Sequence, residues 1–234
     1  MEGRRIPSLA LRVAKNQQTV TEAWRTVYQA YRRADLIESN PHRIHTTPEA
    51  CGPQSAVICG CIGPLIVSTL TATADSQAGL RLDRVYPQQL GQLRREDRRL
   101  LEVGFFADRR THFDRCIEAL FHLSRYALHY AVYCQLTDIL VGVHPRHSMF
   151  YERSLGFQIL GDASSHPDYN DQPVVLLHID LEQQLGLETP HSVLEKMRSQ
   201  SVHTDVFDNR FRFDEESMHG SPIRSYLQST NQDC

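Results

Sequence analysis

Val20, Trp24, Val27 and Tyr31 recur at helical spacing within residues 20–33, so this stretch predicts an amphipathic helix. Leu9 to Val13, just before it, reads as a first strand. Residues 34–54 are rich in Pro, Thr, His and Asn, show no period, and predict a loop. Ala56 to Cys61 and Leu65 to Thr73 are β-rich runs broken by Gly63-Pro64, a hairpin signal. Residues 74–98 are polar, with one short helical stretch near Gln88–Arg95. Leu100 to Ala107 is strand-like and encloses a single carboxylate, Glu102. Phe113 to Gln135 predicts the longest helix, with Ile117, Leu120, Phe121, Ser124, Leu128 and Ala131 along one face. The continuous apolar run Asp138 to Val143 predicts a buried strand. A short helix over Ser148–Ser154 should end at Gly156, and Phe157 to Leu160 and Val174 to Leu181 complete the strands. This order predicts an α/β (α+β) domain over residues 1–184, a mixed central sheet flanked by helices. Residues 185–234 turn polar, with one possible short helix at His191–Arg198. They read as a C-terminal extension that wraps the domain or stays mobile. No internal repeat is present.

Composition narrows the class. With 234 residues and 41% hydrophobic side chains the chain can build one core, and its mean hydropathy is -0.41. The best apolar stretch, Ala56 to Leu70, is interrupted by Gly60, Gly63 and Pro64 and falls short of the ~18 residues a spanning helix needs. No signal-peptide core opens the chain, so no transmembrane segment and a cytoplasmic location are expected. The six cysteines include Cys59 and Cys61, whose side chains share a strand face. Without CxxC or HExxH motifs they read as reduced thiols in or near the core. Glu118, His122 and His129 share a helix face, which reads as a polar surface before a metal site. No metal is expected.

A net charge of -3 gives no global reason to expect nucleic acid. The positive charge is nearly all arginine, since only Lys15 and Lys196 are lysines. Residues 1–33 hold seven basic side chains against Glu2 and Glu22, and a second cluster joins Arg94, Arg95, Arg98 and Arg99 to Arg109, Arg110 and Arg115. Two readings stay open: a solvated surface, or a docking face for an acidic partner.

The segment His144-Pro-Arg-His-Ser-Met-Phe-Tyr-Glu-Arg-Ser-Leu-Gly-Phe157 resembles the FYExLGF signature that follows the fifth strand of GNAT acyltransferases. Gly79-Leu-Arg-Leu-Asp-Arg-Val-Tyr86, Leu93-Arg-Arg and Leu101-Glu-Val-Gly-Phe-Phe-Ala107 resemble, in the same order, the N-acyl amino acid synthases of the FeeM type. Those proteins are related in fold to acyl-homoserine-lactone synthases. The resemblance spans roughly residues 20–182. It implies a GNAT acyl-CoA N-acyltransferase-like fold and an acyltransferase without a permanently bound cofactor. The implied donor is the phosphopantetheine thioester of acyl carrier protein, and the implied acceptor is an amino acid or similar small amine. The chain departs from the pattern at Phe105, where related families commonly place a basic residue, and at Gly104, often Ser.

Amide formation from a thioester needs a neutral amine, a polarised carbonyl and a protonated leaving thiol. The GNAT arrangement supplies a backbone N–H beside a bulge in the central strand, where Gly104 would ease the distortion. Glu102 is either the base for the amine or half of a structural ion pair with an arginine such as Arg99 or Arg125. Tyr151 either protonates the thiolate or packs beside Phe150 and Phe157. Acetyl-CoA enzymes carry a glycine-rich anion loop after the central strand, and the corresponding residues 108–115 contain no glycine. That disfavours CoA and points to the acidic carrier protein, with Arg94, Arg95, Arg98, Arg109 and Arg110 as its docking side chains. Phe105, Phe106, Val141, Val143 and Phe150, with Phe113, Ile117, Leu120 and Phe121 on the long helix, either line an acyl tunnel or fill the core. Arg81 and Arg84 are the candidates for an acceptor carboxylate. Three further readings remain: a catalytically inactive GNAT-fold binding protein, an acetyl-CoA N-acetyltransferase, and a homoserine-lactone synthase using S-adenosylmethionine.

Overall fold

The computed structural model describes residues 9–110, 113–186 and 191–230, the side chains of 113–115 and 185 excepted. Seven strands form one sheet in the order β1-β2-β3-β4-β5-β7-β6. They are β1 Ala10–Val13, β2 Ser55–Ile62, β3 Leu65–Ala74, β4 Leu100–Asp108, β5 Asp138–Val143, β6 Gln158–His166 and β7 Gln172–Asp180. β1 to β4 pair antiparallel, as do β5, β7 and β6. One parallel pair, β4 with β5, joins the two halves and lasts only from Leu100–Asp138 to Glu102–Leu140. Beyond it the two strands part and leave a fork.

Helix α1, Gln17–Arg33, starts where the Asn16 side chain accepts the Thr19 N–H at 2.9 Å. Its apolar stripe buries Val20, Trp24 and Val27 completely against β2–β4, and α2, Pro87–Arg95, lies on the same side of the sheet. The opposite face carries α3, Phe113–Tyr133, and α4, Pro145–Leu155. α4 begins with Pro145 at its first position, where the missing N–H costs nothing, and ends on Gly156 at φ 76, a left-handed cap.

After β7 come α5 Leu181–Gly186, α6 Ser192–Ser199, α7 Asp205–Asp208, α8 Glu215–Met218 and α9 Pro222–Thr230. These short helices wrap the domain. Leu194 and Met197 of α6 and Phe207 of α7 enter the core under α3. Phe211 then donates its N–H to the Ala14 carbonyl at 2.7 Å, and Phe213 stacks on Trp24. Ile223 and Tyr226 of α9 are buried on the α1 side. Each fully buried apolar side chain of this kind contributes about 1.5–3 kcal/mol, so the extension is part of the fold's cohesion. No helix among the described residues is long and apolar enough to cross a membrane.

Candidate functional site

The fork coincides with a bulge. In the β3–β4 ladder Thr71 faces Gly104 and Thr69 faces Ala107, so Phe105 and Phe106 together oppose Leu70. The extra residue is Phe105, at φ 50, and a bulge leaves its backbone outside the ladder. This corrects the expectation for Gly104, whose φ is ordinary. Glycine is needed there because a Cβ would stand 2.9 Å from Nη2 of Arg81. Phe105 points into the α1-side core and Phe106 into the α3-side core.

Arg81 sits in a short 3₁₀ turn, Arg81–Arg84, and is only 3% exposed. Its Nε and Nη2 donate to Oε1 of Glu102 at 2.9 and 2.8 Å, and the Leu82 N–H donates to Oε2 at 3.1 Å. The guanidinium carbon lies 4.8 Å from the Phe105 ring centre and 5.0 Å from that of Tyr169. Charge and stacking fix the arginine in one pose, yet its buried Nη1 has no hydrogen-bond partner among the described residues. Glu102 therefore pairs with Arg81, and neither Arg99 nor Arg125 is its partner.

A cavity of about 660 Å³ passes through the fork. On the α1 side Tyr31, Arg81 and Tyr169 bound it, and on the α3 side Phe106, Leu120, Val143, Phe150 and Tyr151 do. It reaches the surface at Ala34, Arg146 and His147, which are exposed. Of the residues singled out from sequence, Gly104, Phe105, Phe106, Arg81, Val143, Phe150 and Tyr151 line it. Glu102 stands behind Arg81, and Arg84 is elsewhere. The side chain of Phe113 lies outside the described residues.

The family model for the N-acyl amino acid synthase FeeM matches residues 22–180. The chain belongs to the FeeM family. It is an acyltransferase by that membership. The solved structure of FeeM, an N-acyl amino acid synthase from uncultured soil microbes, superposes with TM-score 0.68 at 21% identity. The match covers 86% of this chain and 97% of FeeM. The acyl-homoserine-lactone synthase LasI gives TM-score 0.54 at 13% identity over 75% of this chain and 91% of its own. MesI, a CoA-dependent acyl-homoserine lactone synthase, gives 0.54 at 16% identity over 82% and 94%. At these identities the likenesses speak for the fold, which is that of GNAT acyltransferases. A sequence search of curated proteins returned no match.

In this FeeM-family chain most of the clustered arginines are spent on internal pairs. Arg84 bridges Glu49 at 2.7 Å and Asp168 at 2.6 Å. Arg94 holds Asp75 and Asp83, both at 2.6 Å. Arg98 ties Asp138, Asp180 and Glu182 together at 2.6, 2.7 and 2.9 Å. Arg109 donates to Gln29, and Arg110 pairs with Asp108. Of the five proposed docking side chains, Arg95 alone is exposed without a described ion pair. These pairs weigh against the expected docking face at Arg94 and Arg98 and against a substrate role for Arg84. Their carboxylate partners lie up to 84 residues away in sequence, so local charge counting could not find them.

Four ring systems near the fork titrate unusually. Burial raises the Tyr151 phenol above its ordinary value, and its hydroxyl has no hydrogen-bond partner among the described residues. Tyr31, read from sequence only as part of the α1 stripe, is pushed up to about 12 by burial, with the Arg81 charge opposing. His45 is held down to about 3 by burial and then by Arg81, and His166 likewise. Both imidazoles are neutral at physiological pH, and the Nε2 of each has no hydrogen-bond partner among the described residues. Glu118 and His122 approach only to 3.8 Å, while His129 turns to the carbonyls of Met197 and Gln200. The cysteines among the described residues, including buried Cys59 and Cys61, are free thiols.

Proposed function

We propose that the chain transfers a fatty acyl group from the phosphopantetheine thioester of acyl carrier protein to the amino group of an α-amino acid. The observation that carries this reading is the continuous cavity, apolar along most of its walls, that passes through the fork beside Arg81, whose Nη1 has no hydrogen-bond partner among the described residues. An apolar space of this size suits an acyl chain. A buried, stacked guanidinium with a free donor suits a carboxylate. The two meet at the bulge, so the thioester carbonyl and the amine would be brought to the same place.

In this reading a backbone N–H of the bulge donates to the carbonyl oxygen as it gains charge. The neutral amine attacks the carbonyl carbon, the C–N bond forms and the C–S bond breaks. Tyr151, kept protonated by its raised pKa, gives its proton to the departing thiolate and recovers one from the amine nitrogen. Glu102 accepts three hydrogen bonds and is screened from the cavity by Arg81. We therefore assign it to positioning Arg81 and not to taking the amine proton.

Two features favour a carrier protein over CoA. Residues 108–115 contain no glycine for an anion-binding nest. At the end of β4 the carboxylate of Asp108 accepts the Arg110 N–H at 2.7 Å and pairs with its guanidinium, so that backbone donor and that arginine are already engaged. An acidic partner would instead meet exposed Arg33 at the end of α1 and Arg146 at the start of α4, a different basic rim from the one charge clustering suggests. The test is turnover of purified protein with matched acyl-carrier-protein and acyl-CoA donors and a panel of amino acids, read by mass spectrometry. N-acyl amino acids formed at higher kcat/KM from the carrier protein are expected. Equal or faster use of acyl-CoA would refute the donor, and absence of product from every amino acid with both donors would refute the reading.

A further inference from the structure

The C-terminal extension contributes two residues to the cavity wall, Leu194 and Met197, and both lie beyond the family match. They stand three apart on α6, hence on one face, and are 5% and 6% exposed. Their position along the cavity follows from the elements beside them. The opening on the α4 side lies near His144, Arg146 and His147, past the C-terminal end of β5. Ile139, which also lines the cavity, is four residues back along that strand from Val143, about 13 Å deeper. On α3 the lining runs from Cys116 to Leu128, about 18 Å of helix.

α6 is bound to the deep end of both neighbours. His129 of α3 holds the carbonyls of Met197 and Gln200, each at 3.1 Å, and Arg125 donates to the Gln200 side chain at 2.6 Å. His191 meets the carbonyl of Arg153, near the end of α4, at 3.2 Å. Leu194 and Met197 thus stand at the deep end of the cavity with Leu128, Leu155 and Ile179, beside the small side chains that α3 presents at Ser124 and Ala127.

We propose that α6 is the floor of the acyl site and that Leu194 and Met197 set the longest chain the enzyme accepts. This deepens the reading of the cavity as an acyl site and rests on it. A chain that reaches the floor gains about fourfold in affinity per methylene, the equivalent of ~0.8 kcal/mol each, and a longer one must displace α6 or leave its end outside. The experiment needs no turnover. Straight-chain fatty acids from octanoate to stearate are titrated by displacement of a fluorescent apolar probe, against wild type, Met197→Ala and Met197→Trp. The preferred length should rise by at least one two-carbon step in M197A and fall in M197W, a change of roughly 15-fold in the ratio of neighbouring affinities. An unmoved profile in both folded variants overturns the floor while leaving the acyl reading intact. Failure of every fatty acid to bind wild type overturns both. Should the variants misfold, a fatty acid carrying a terminal diazirine decides the matter on the wild-type chain. Crosslinks in peptide 192–199 are expected, and crosslinks confined to other peptides refute the assignment.

Discussion

Replacing Glu102 by Gln separates its two possible roles. The carboxylate accepts two bonds from Arg81 and one from the Leu82 N–H in a setting where both charged side chains are nearly inaccessible. Gln keeps the shape and one acceptor oxygen but removes the charge, leaving a buried guanidinium uncompensated. Loss of a charge-assisted bond costs about 1.5–3 kcal/mol, and full loss of one partner of a buried pair about 3–5 kcal/mol. E102Q should therefore lose roughly 2–3 kcal/mol in denaturant unfolding. If Glu102 positions Arg81, the KM for the amino acid should rise about ten- to a hundredfold, with kcat moving less, and Glu102→Asp should restore part of it. If Glu102 were the base, kcat would fall and KM would stay. The double variant Arg81→Met with Glu102→Leu sharpens the contrast. It replaces a buried pair by apolar side chains, so stability should return to within about 1–2 kcal/mol of wild type while turnover stays lost. An active double variant with an unchanged KM would sink the assignment of Arg81 to the acceptor carboxylate.

Three further outcomes follow from the geometry. Tyr151→Phe should lower kcat by roughly a hundredfold or more with an unchanged acceptor KM and little loss of stability; a kcat within a few-fold of wild type would reduce Tyr151 to a packing role. Arg98→Ala removes the guanidinium from Asp138, whose side chain is 0% exposed and keeps the Thr137 hydroxyl at 2.7 Å and His178 at 3.1 Å, and should cost about 1.5–3 kcal/mol in chemical denaturation, whereas a docking residue would leave stability untouched. His45 and His166 resist protonation in the folded chain down to about pH 3, while the unfolded chain takes up those protons below about 6.5. Their contribution is intact above that value and is lost as pH falls from there toward 3, by about 1.4 kcal/mol for each imidazole at pH 5.5. His45→Gln should flatten the fall in unfolding free energy between neutral pH and 5.5, and an unchanged slope would show that His45 does not contribute to it.

The parts of the fold legible in sequence are those where burial repeats within one element. α1, α3, β4 and β5 stand within a few residues of where their apolar positions place them, because each packs a continuous stripe or face on the sheet. The wrapped extension was less legible. Its buried residues, from Leu194 through Phe207 to Tyr226, are spread one or two to a short helix, so no window holds a period. The helix actually present at Ser192–Ser199 is the one place where spacing was enough.

The site was legible in its residue types and opaque in its pairings, and both have one physical cause. A bulge is an event of register, decided by which residue of β3 faces which of β4, so Gly104 drew the conformational role that the ladder gives to Phe105. A local distortion at a phenylalanine persists only when its surroundings hold it, and here the buried Phe105 ring lies between the His45 ring, at 5.5 Å, and the Arg81 guanidinium. The missing basic residue at that position is then no loss of charge from the site. Arg81 arrives from a turn more than twenty residues upstream and lays its guanidinium on the ring that stands in the basic side chain's place. Glycine at 104 leaves the room for it, Glu102 orients it, and Tyr169 closes the stack. The two positions that look like separate departures in sequence, Gly104 and Phe105, are in the fold parts of one arrangement around the Arg81 guanidinium.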